Sequence, residues 1–263
     1  MAVQSPILTM MIRAAEKAGR SLLRDFNEVE QLQVSRKGPG DFVTAADKRS
    51  EKIIFEELQK ARPDYSFMME ESGQVKGNDP DHVWIIDPLD GTHNFMHGVP
   101  HWSISMALER KGEIIAGLIY DCVKDEMFTA EKGTGAFLRG NKRLRVSGRN
   151  NLEQCMVNYG QPFGDNGDRA QFFKEVDAIS RVAMVRRFAS AALDMAYVAA
   201  GRIDGYWERN IKPWDVAAGV LIVKEAGGIT TSIEKDDNPV YSANLVTGNP
   251  QVQGEIRKIL KSI

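Results

Sequence analysis

Apolar residues recur at helical spacing at the start of the chain, where Ile7, Met10, Met11, Ala14, Ala18 and Leu22 form one face. Arg13, Glu16 and Lys17 interrupt the run, so the pattern predicts an amphipathic helix, and Ser5 with Pro6 supplies its start signal. Val29 to Ser35 reads as a strand, RKGPGD as a loop, and a second helix begins near Thr44. The strand-like YSFMM is followed by a β-branched apolar run from His82 to Asp87, a buried strand that Pro88 ends by removing a backbone donor. From Trp102 the period becomes two. Trp102 to Glu109 and Glu113 to Asp121 alternate around Lys111 and Gly112, and Met127–Ala130, Ala136–Arg139 and Arg143–Val146 extend an antiparallel meander.

Beyond Cys155 strands and helices alternate. Helices are predicted at Arg169–Ile179, at Ala191–Ala200 with Ser190 as its cap, and at Pro213–Ala226 closed by Gly227 and Gly228; Asn249 and Pro250 open another. Strands are predicted near Ala183–Phe188 and Asp204–Glu208. A soft boundary near residue 148 separates an N-terminal half, 1–148, of helices and antiparallel sheet from an α/β half, 149–263.

Composition narrows the class. With 263 residues and 43% hydrophobic content, the chain supports one large globular unit or two intimately packed halves. A net charge of −2 argues against a dominant attraction to nucleic acid. No basic leader precedes the first apolar residues, and no uninterrupted apolar run reaches the roughly 20 residues of a membrane span, which places the protein in the cytoplasm. Cys122 and Cys155 read as separate reduced thiols rather than a pair.

The run WIIDPLDGTHNF carries the chemistry. Asp87 and Asp90 stand three positions apart at the end of a strand, and carboxylates held that close need a shared proton or a hard divalent cation. Gly91 permits close backbone approach, and Thr92 and Asn94 open a short helix whose N–H groups suit a phosphate. Asp, Pro and Gly also make ordinary turns, so this run alone leaves both readings open. Two further acidic positions, Glu70 with Glu71 and Asp215, fall at the edges of predicted elements. Asp47, three residues after Thr44, fits a helix cap. His93, His97 and His101 raise zinc as an alternative, but the surrounding oxygen donors favour Mg²⁺. No nucleophile constellation is present, so direct attack by water is preferred.

Four segments carry a resemblance. Trp84–His97 (WIIDPLDGTHNFMH), Trp214–Gly228 (WDVAAGVLIVKEAGG), Asp41–Asp47 (DFVTAAD) and Glu70–Ser72 are similar in order and spacing to the inositol monophosphatase family, in detail to its bacterial extragenic suppressor branch. The resemblance implies an α+β fold, the layered α-β-α-β-α sandwich of the inositol monophosphatase and fructose-1,6-bisphosphatase type, with the active site between the halves. It implies two or three Mg²⁺ ions: Glu70, Asp87 and the Leu89 carbonyl holding the first, Asp87, Asp90 and Asp215 the second, and a weaker third near Glu70. Thr92, paired with Asp47, and Glu70 would then activate water, while the N–H groups of Gly91 and Thr92 hold the phosphate. Substrate contacts fall on Leu89, Asp90, Gly91, Thr92, Ala189, Ser190, Ala191, Glu208 and Asp215, with Glu208 binding inositol hydroxyls. The family usually has glycine where this chain has Ala189.

The implied activity is hydrolysis of inositol monophosphate, sensitive to lithium, by a homodimer. A sugar bisphosphatase or bisphosphate nucleotidase shares the chemistry. The bacterial branch also implies transcription antitermination with RNA polymerase and its associated factors. Arg139, Lys142, Arg143, Arg145 and Arg149 are the residues such binding would use, although a basic hairpin is ordinarily a solvated face.

Overall fold

The computed structural model describes residues 5–29, 34–38, 41–161, 167–235 and 237–263, with backbone only at 34–38 and 41–44. Helix α1 (Pro6–Phe26) starts where Ser5 accepts the Leu8 N–H at 3.1 Å. A hairpin of β1 (Val34–Gly38) and β2 (Asp41–Thr44) leads into α2 (Ala45–Ala61). The strand thus starts at Val34, with 30–33 outside the described residues, and Val29 still belongs to the helical turn after α1. The Thr44 side chain, and with it the predicted cap, also lies outside the described residues.

Eight strands form the larger sheet: β3 (Ser66–Met69), β4 (Gly73–Val75), β5 (His82–Asp90), β6 (Ser103–Arg110), β7 (Glu113–Asp121), β8 (Glu126–Glu131), β9 (Gly135–Leu138) and β10 (Lys142–Arg143). Their order is β10-β9-β8-β7-β6-β5-β3-β4, and only β3 and β5 run parallel. Short helix α3 (Thr92–Met96) follows β5. Lys111 and Gly112 turn the β6–β7 hairpin with φ of 52° and 79°, the left-handed pair such a turn needs. The strand predicted at Arg143–Val146 stops at Arg143, because the Val146 N–H leaves the sheet for the Ala226 carbonyl at 3.1 Å.

The second sheet has the order β12-β11-β13-β15-β14, from β11 (Met156–Tyr159), β12 (Met184–Arg186), β13 (Gly205–Arg209), β14 (Ile229–Ser232) and β15 (Asn244–Gly248). Helices α4 (Arg169–Ser180), α5 (Ala191–Ala199), α6 (Pro213–Glu225) and α7 (Pro250–Lys261) complete the α-helices of the described residues, and a 3-10 turn spans Leu152–Gln154.

Strand alternation fixes the layers. On β5, Trp84 and Ile86 face α1 and α2, while Ile85 faces the opposite core with α5 and α6. On β13, Tyr206 faces that same middle core, and Trp207 faces α4 and α7. The stack therefore runs α1/α2, large sheet, α5/α6, small sheet, α4/α7, the α-β-α-β-α order the resemblance implies. Among the described residues, no helix is long and apolar enough to cross a membrane.

Candidate active site

The acids meet at the carboxyl ends of β3 and β5. Met69 pairs with Ile86, so Glu70 leaves the sheet beside Asp87, and its N–H bonds the Ile86 carbonyl at 3.2 Å. Asp87 shares the face of Ile85 and points into the middle layer. Three residues further, Asp90 would face the other side of a regular strand. Instead Asp87 pairs with Ser105 and Asp90 with Ser103, so β5 carries one extra residue, and this bulge returns Asp90 to the face of Asp87. Pro88 does not end the strand as its missing donor suggests: it sits in the bulge, where no ladder bond is required of it. From α2, Ser50 donates to the Pro88 carbonyl at 2.9 Å and braces the distortion.

Gly91 has a φ of 90°, and a β-carbon there would lie 3.1 Å from the His101 carbonyl oxygen. The conformation demands glycine, and the space beside it is tight. The Thr92 hydroxyl donates to the Leu89 carbonyl at 2.9 Å. Asp47, in the first turn of α2, brings a carboxylate oxygen within 4.8 Å of those of Glu70 and Glu71. Asp87, Asp90 and Asp215 each accept from backbone: Asp87 from Leu89, Asp90 from Ala191 and Ala192, and Asp215 from Lys212.

Charge also couples them. Burial holds the Asp87 carboxyl well above the ordinary range, and Glu70, Asp90, Asp215 and Asp47 push it further. Asp215 is raised by burial and then by Asp90 and Glu70. Asp90 is pushed to about 6 by burial, against the opposing bonds from Ser190, Ala192, Ala191 and Ser103. Buried carboxylates whose strongest charged neighbours are other carboxylates form a hard oxygen donor set, and a divalent cation of the Mg²⁺ kind fits it. The histidines do not compete: His101 is half-buried and edge-on to Phe188 and Tyr197, and among the described residues no histidine joins a metal-holding group.

A cleft of about 530 Å³ is lined by Asp90, Gly91, Thr92 and Asp215 together with Ala189, Ser190, Ala191 and Glu208. Ser190 does not cap α5 with its side chain; its hydroxyl bonds Asp90, and Asp90 takes over the cap by accepting the Ala191 N–H at 3.2 Å and the Ala192 N–H at 3.0 Å. Burial raises Glu208 to about 7, and the bond from the Tyr206 hydroxyl works against that. Motif reading missed Arg187 and Asp194, which also line the cleft. Asp194 is buried, accepts from Asn158 at 2.7 Å, and is raised chiefly by burial. Its signal was available: it is the lone acid in the apolar run AALDMAYVAA.

Ala189 adopts a φ of 61°, the left-handed conformation that favours glycine. Asn94 secures this loop by donating to the His101 carbonyl at 2.8 Å and the Phe188 carbonyl at 2.7 Å. Ala189→Gly is expected to stabilise the protein by about 1 kcal/mol in urea unfolding, because the left-handed penalty exceeds the added chain entropy. A loss of stability would mean that the loop holds alanine without strain.

Fold and site together are those of a phosphoric monoester hydrolase. A profile described as the inositol monophosphatase family matches residues 3–263, and the chain belongs to that family. The inositol-1-monophosphatase of Mesorhizobium japonicum is 49% identical over 259 residues, covering 98% of this chain and 97% of the relative. Nus factor SuhB of Escherichia coli is 41% identical over 248 residues, covering 94% and 92%. The crystal structure of extragenic suppressor protein suhB from Bartonella henselae superposes with a TM-score of 0.94 at 48% identity, covering 98% and 99%.

Proposed function

We propose that the chain hydrolyses inositol monophosphate to inositol and inorganic phosphate in the cytoplasm, as a homodimer dependent on Mg²⁺. The observation that supports this most is that Asp90 and Asp215, charge-coupled to Asp87, line the same cleft as Glu208. Glu70, Asp87 and the Leu89 carbonyl would hold one ion, Asp87, Asp90 and Asp215 a second, and Glu70 a weaker third. Bound there, such ions neutralise the phosphate, make water nucleophilic and stabilise the departing alkoxide. Thr92, paired with Asp47, and Glu70 would hold the attacking water, with Glu70 taking its proton. The N–H groups of Gly91 and Thr92 receive phosphate oxygens where the left-handed turn opens into α3. Glu208 and the backbone at Ala191 receive the polyol.

The test is phosphate release across inositol 1-phosphate, a sugar bisphosphate and a 3′,5′-bisphosphate nucleotide, with Mg²⁺ and with chelator. Activity should require Mg²⁺, fall with Ca²⁺, whose looser coordination aligns water poorly, and fall with Li⁺. Undiminished hydrolysis in chelator excludes the mechanism. Preference for either bisphosphate reassigns the substrate to a sugar bisphosphatase or bisphosphate nucleotidase.

The likeness to the Escherichia coli Nus factor favours a second reading, binding to RNA polymerase and antitermination factors. Of the basic segment, Arg139 pairs with Asp125 and Arg149 with buried Asp204, while Lys142, Arg143 and Arg145 are exposed. Co-elution of the purified protein with these factors tests that reading independently of phosphatase activity.

A further inference from the structure

Glu208 reaches the cleft from β13, and two neighbours fix how its carboxylate is presented. Tyr206 lies two residues back on the same face, is fully buried, and donates its hydroxyl to Glu208 Oε2. Burial and the surrounding negative charges hold the Tyr206 hydroxyl protonated, so it remains a donor. The second neighbour is Gly160. Strands β11 and β13 run parallel with Tyr159 opposite Trp207, and the Gly160 N–H continues the ladder to the Trp207 carbonyl at 3.0 Å. Gly160 therefore comes level with Glu208, and a β-carbon on it would fall 1.8 Å from Glu208 Cδ. Gly160 is not among the residues with positive φ, so the requirement for glycine is one of space alone.

We infer that Tyr206 and Gly160 are positioning residues for substrate selection: Tyr206 occupies Oε2 and leaves Oε1 to accept a polyol hydroxyl, while Gly160 provides the space that lets the carboxylate lie in that orientation. This inference rests on the reading of Glu208 as the polyol acceptor. In the proposed function the phosphate chemistry falls to residues other than this pair, so disturbing the pair should alter which ester is preferred without altering the rate of a substrate that has no hydroxyls.

The experiment compares inositol 1-phosphate with 4-nitrophenyl phosphate for Glu208→Gln, Tyr206→Phe, Gly160→Ala and the double variant Tyr206→Phe/Glu208→Gln, with thermal unfolding confirming that each folds. Glu208→Gln should lower kcat/KM for the polyol by about tenfold to a hundredfold, through loss of a charged hydrogen bond. Tyr206→Phe should raise its KM by about threefold to tenfold at nearly constant kcat, and leave the aryl ester unchanged. Gly160→Ala should act in the same direction, and Tyr206→Phe should add little to Glu208→Gln, as expected of residues acting through one group. If Glu208→Gln affects both esters equally, the polyol reading itself fails. If Glu208→Gln is selective while Tyr206→Phe is silent, acts on both esters, or adds in full to Glu208→Gln, the positioning inference fails alone.

Discussion

Asp215→Asn should lower turnover by roughly a hundredfold to a thousandfold at saturating Mg²⁺, the scale of losing one group that stabilises charge in the transition state. The substitution isolates charge from structure. Asp215 accepts the Lys212 N–H at 2.9 Å at the start of α6, and the amide oxygen of asparagine can accept the same bond. What disappears is one negative charge among several that oppose each other's ionisation. In chelator, Asp215→Asn should therefore be at least as stable as the unsubstituted protein. Asp90→Asn is a poorer probe, because the Asp90 carboxylate also accepts from Ser190, Ala191 and Ala192 and anchors α5. The same charges set a pH dependence. Asp90 is raised from 3.8 to about 6, so the folded protein retains its proton where the unfolded chain has lost it. Stability in chelator should fall as pH rises across that window. Turnover of Asp215→Asn near that of the parent would move the proposed second ion elsewhere.

The second large effect is on stability. Asp204→Ala should cost about 3 kcal/mol in urea unfolding, the range seen when one partner of a buried charged network is removed. Asp204 is buried at the turn between α5 and β13, where it accepts from the Ser147 hydroxyl, from Arg149 Nε at 2.7 Å and from the Met156 N–H at 2.8 Å. It thereby fastens the segment that passes from the large sheet to the small one. Arg149→Ala should cost about 1 kcal/mol or less, since the Arg149 side chain is 42% exposed and water can replace it. Equal losses in the two variants would show that the ion pair, rather than the buried acceptor, carries the effect.

Local chemistry was readable wherever a feature is satisfied by its own neighbours. Ser5 caps α1, Lys111 and Gly112 turn a hairpin, Gly227 takes a φ of 87° after α6, and Asn249 accepts the Val252 N–H of α7. Features settled by distant partners were not. Ser190 has the residue type of a cap, but its hydroxyl is drawn to Asp90, a hundred positions away in the chain. Pro88 has the type of a strand terminator, but pairing with β6 carries β5 past it to Asp90. The acids at strand ends could be recognised as a candidate site, whereas Arg187 had no motif and became visible only when the residue after β12 was placed at the cleft, and Asp194 showed only as a lone acid in an apolar run.

The bonds from Asp90 to Ala191 and Ala192 span 101 and 102 positions, and this has a consequence for synthesis. A nascent chain emerges from its N-terminus, so every strand of the large sheet is available before α5 or α6 exists. Until those helices arrive, the sheet face bearing Ile85, Ala107 and Ile119 lacks its covering layer, and Asp87 and Asp90 remain hydrated at the edge of that face. Burial, the main cause of their altered acidity, is thus conferred by residues translated much later. A ribosome that stalls before Pro213 releases a broad apolar surface rather than a weakened enzyme, and such a product belongs to chaperones and proteases.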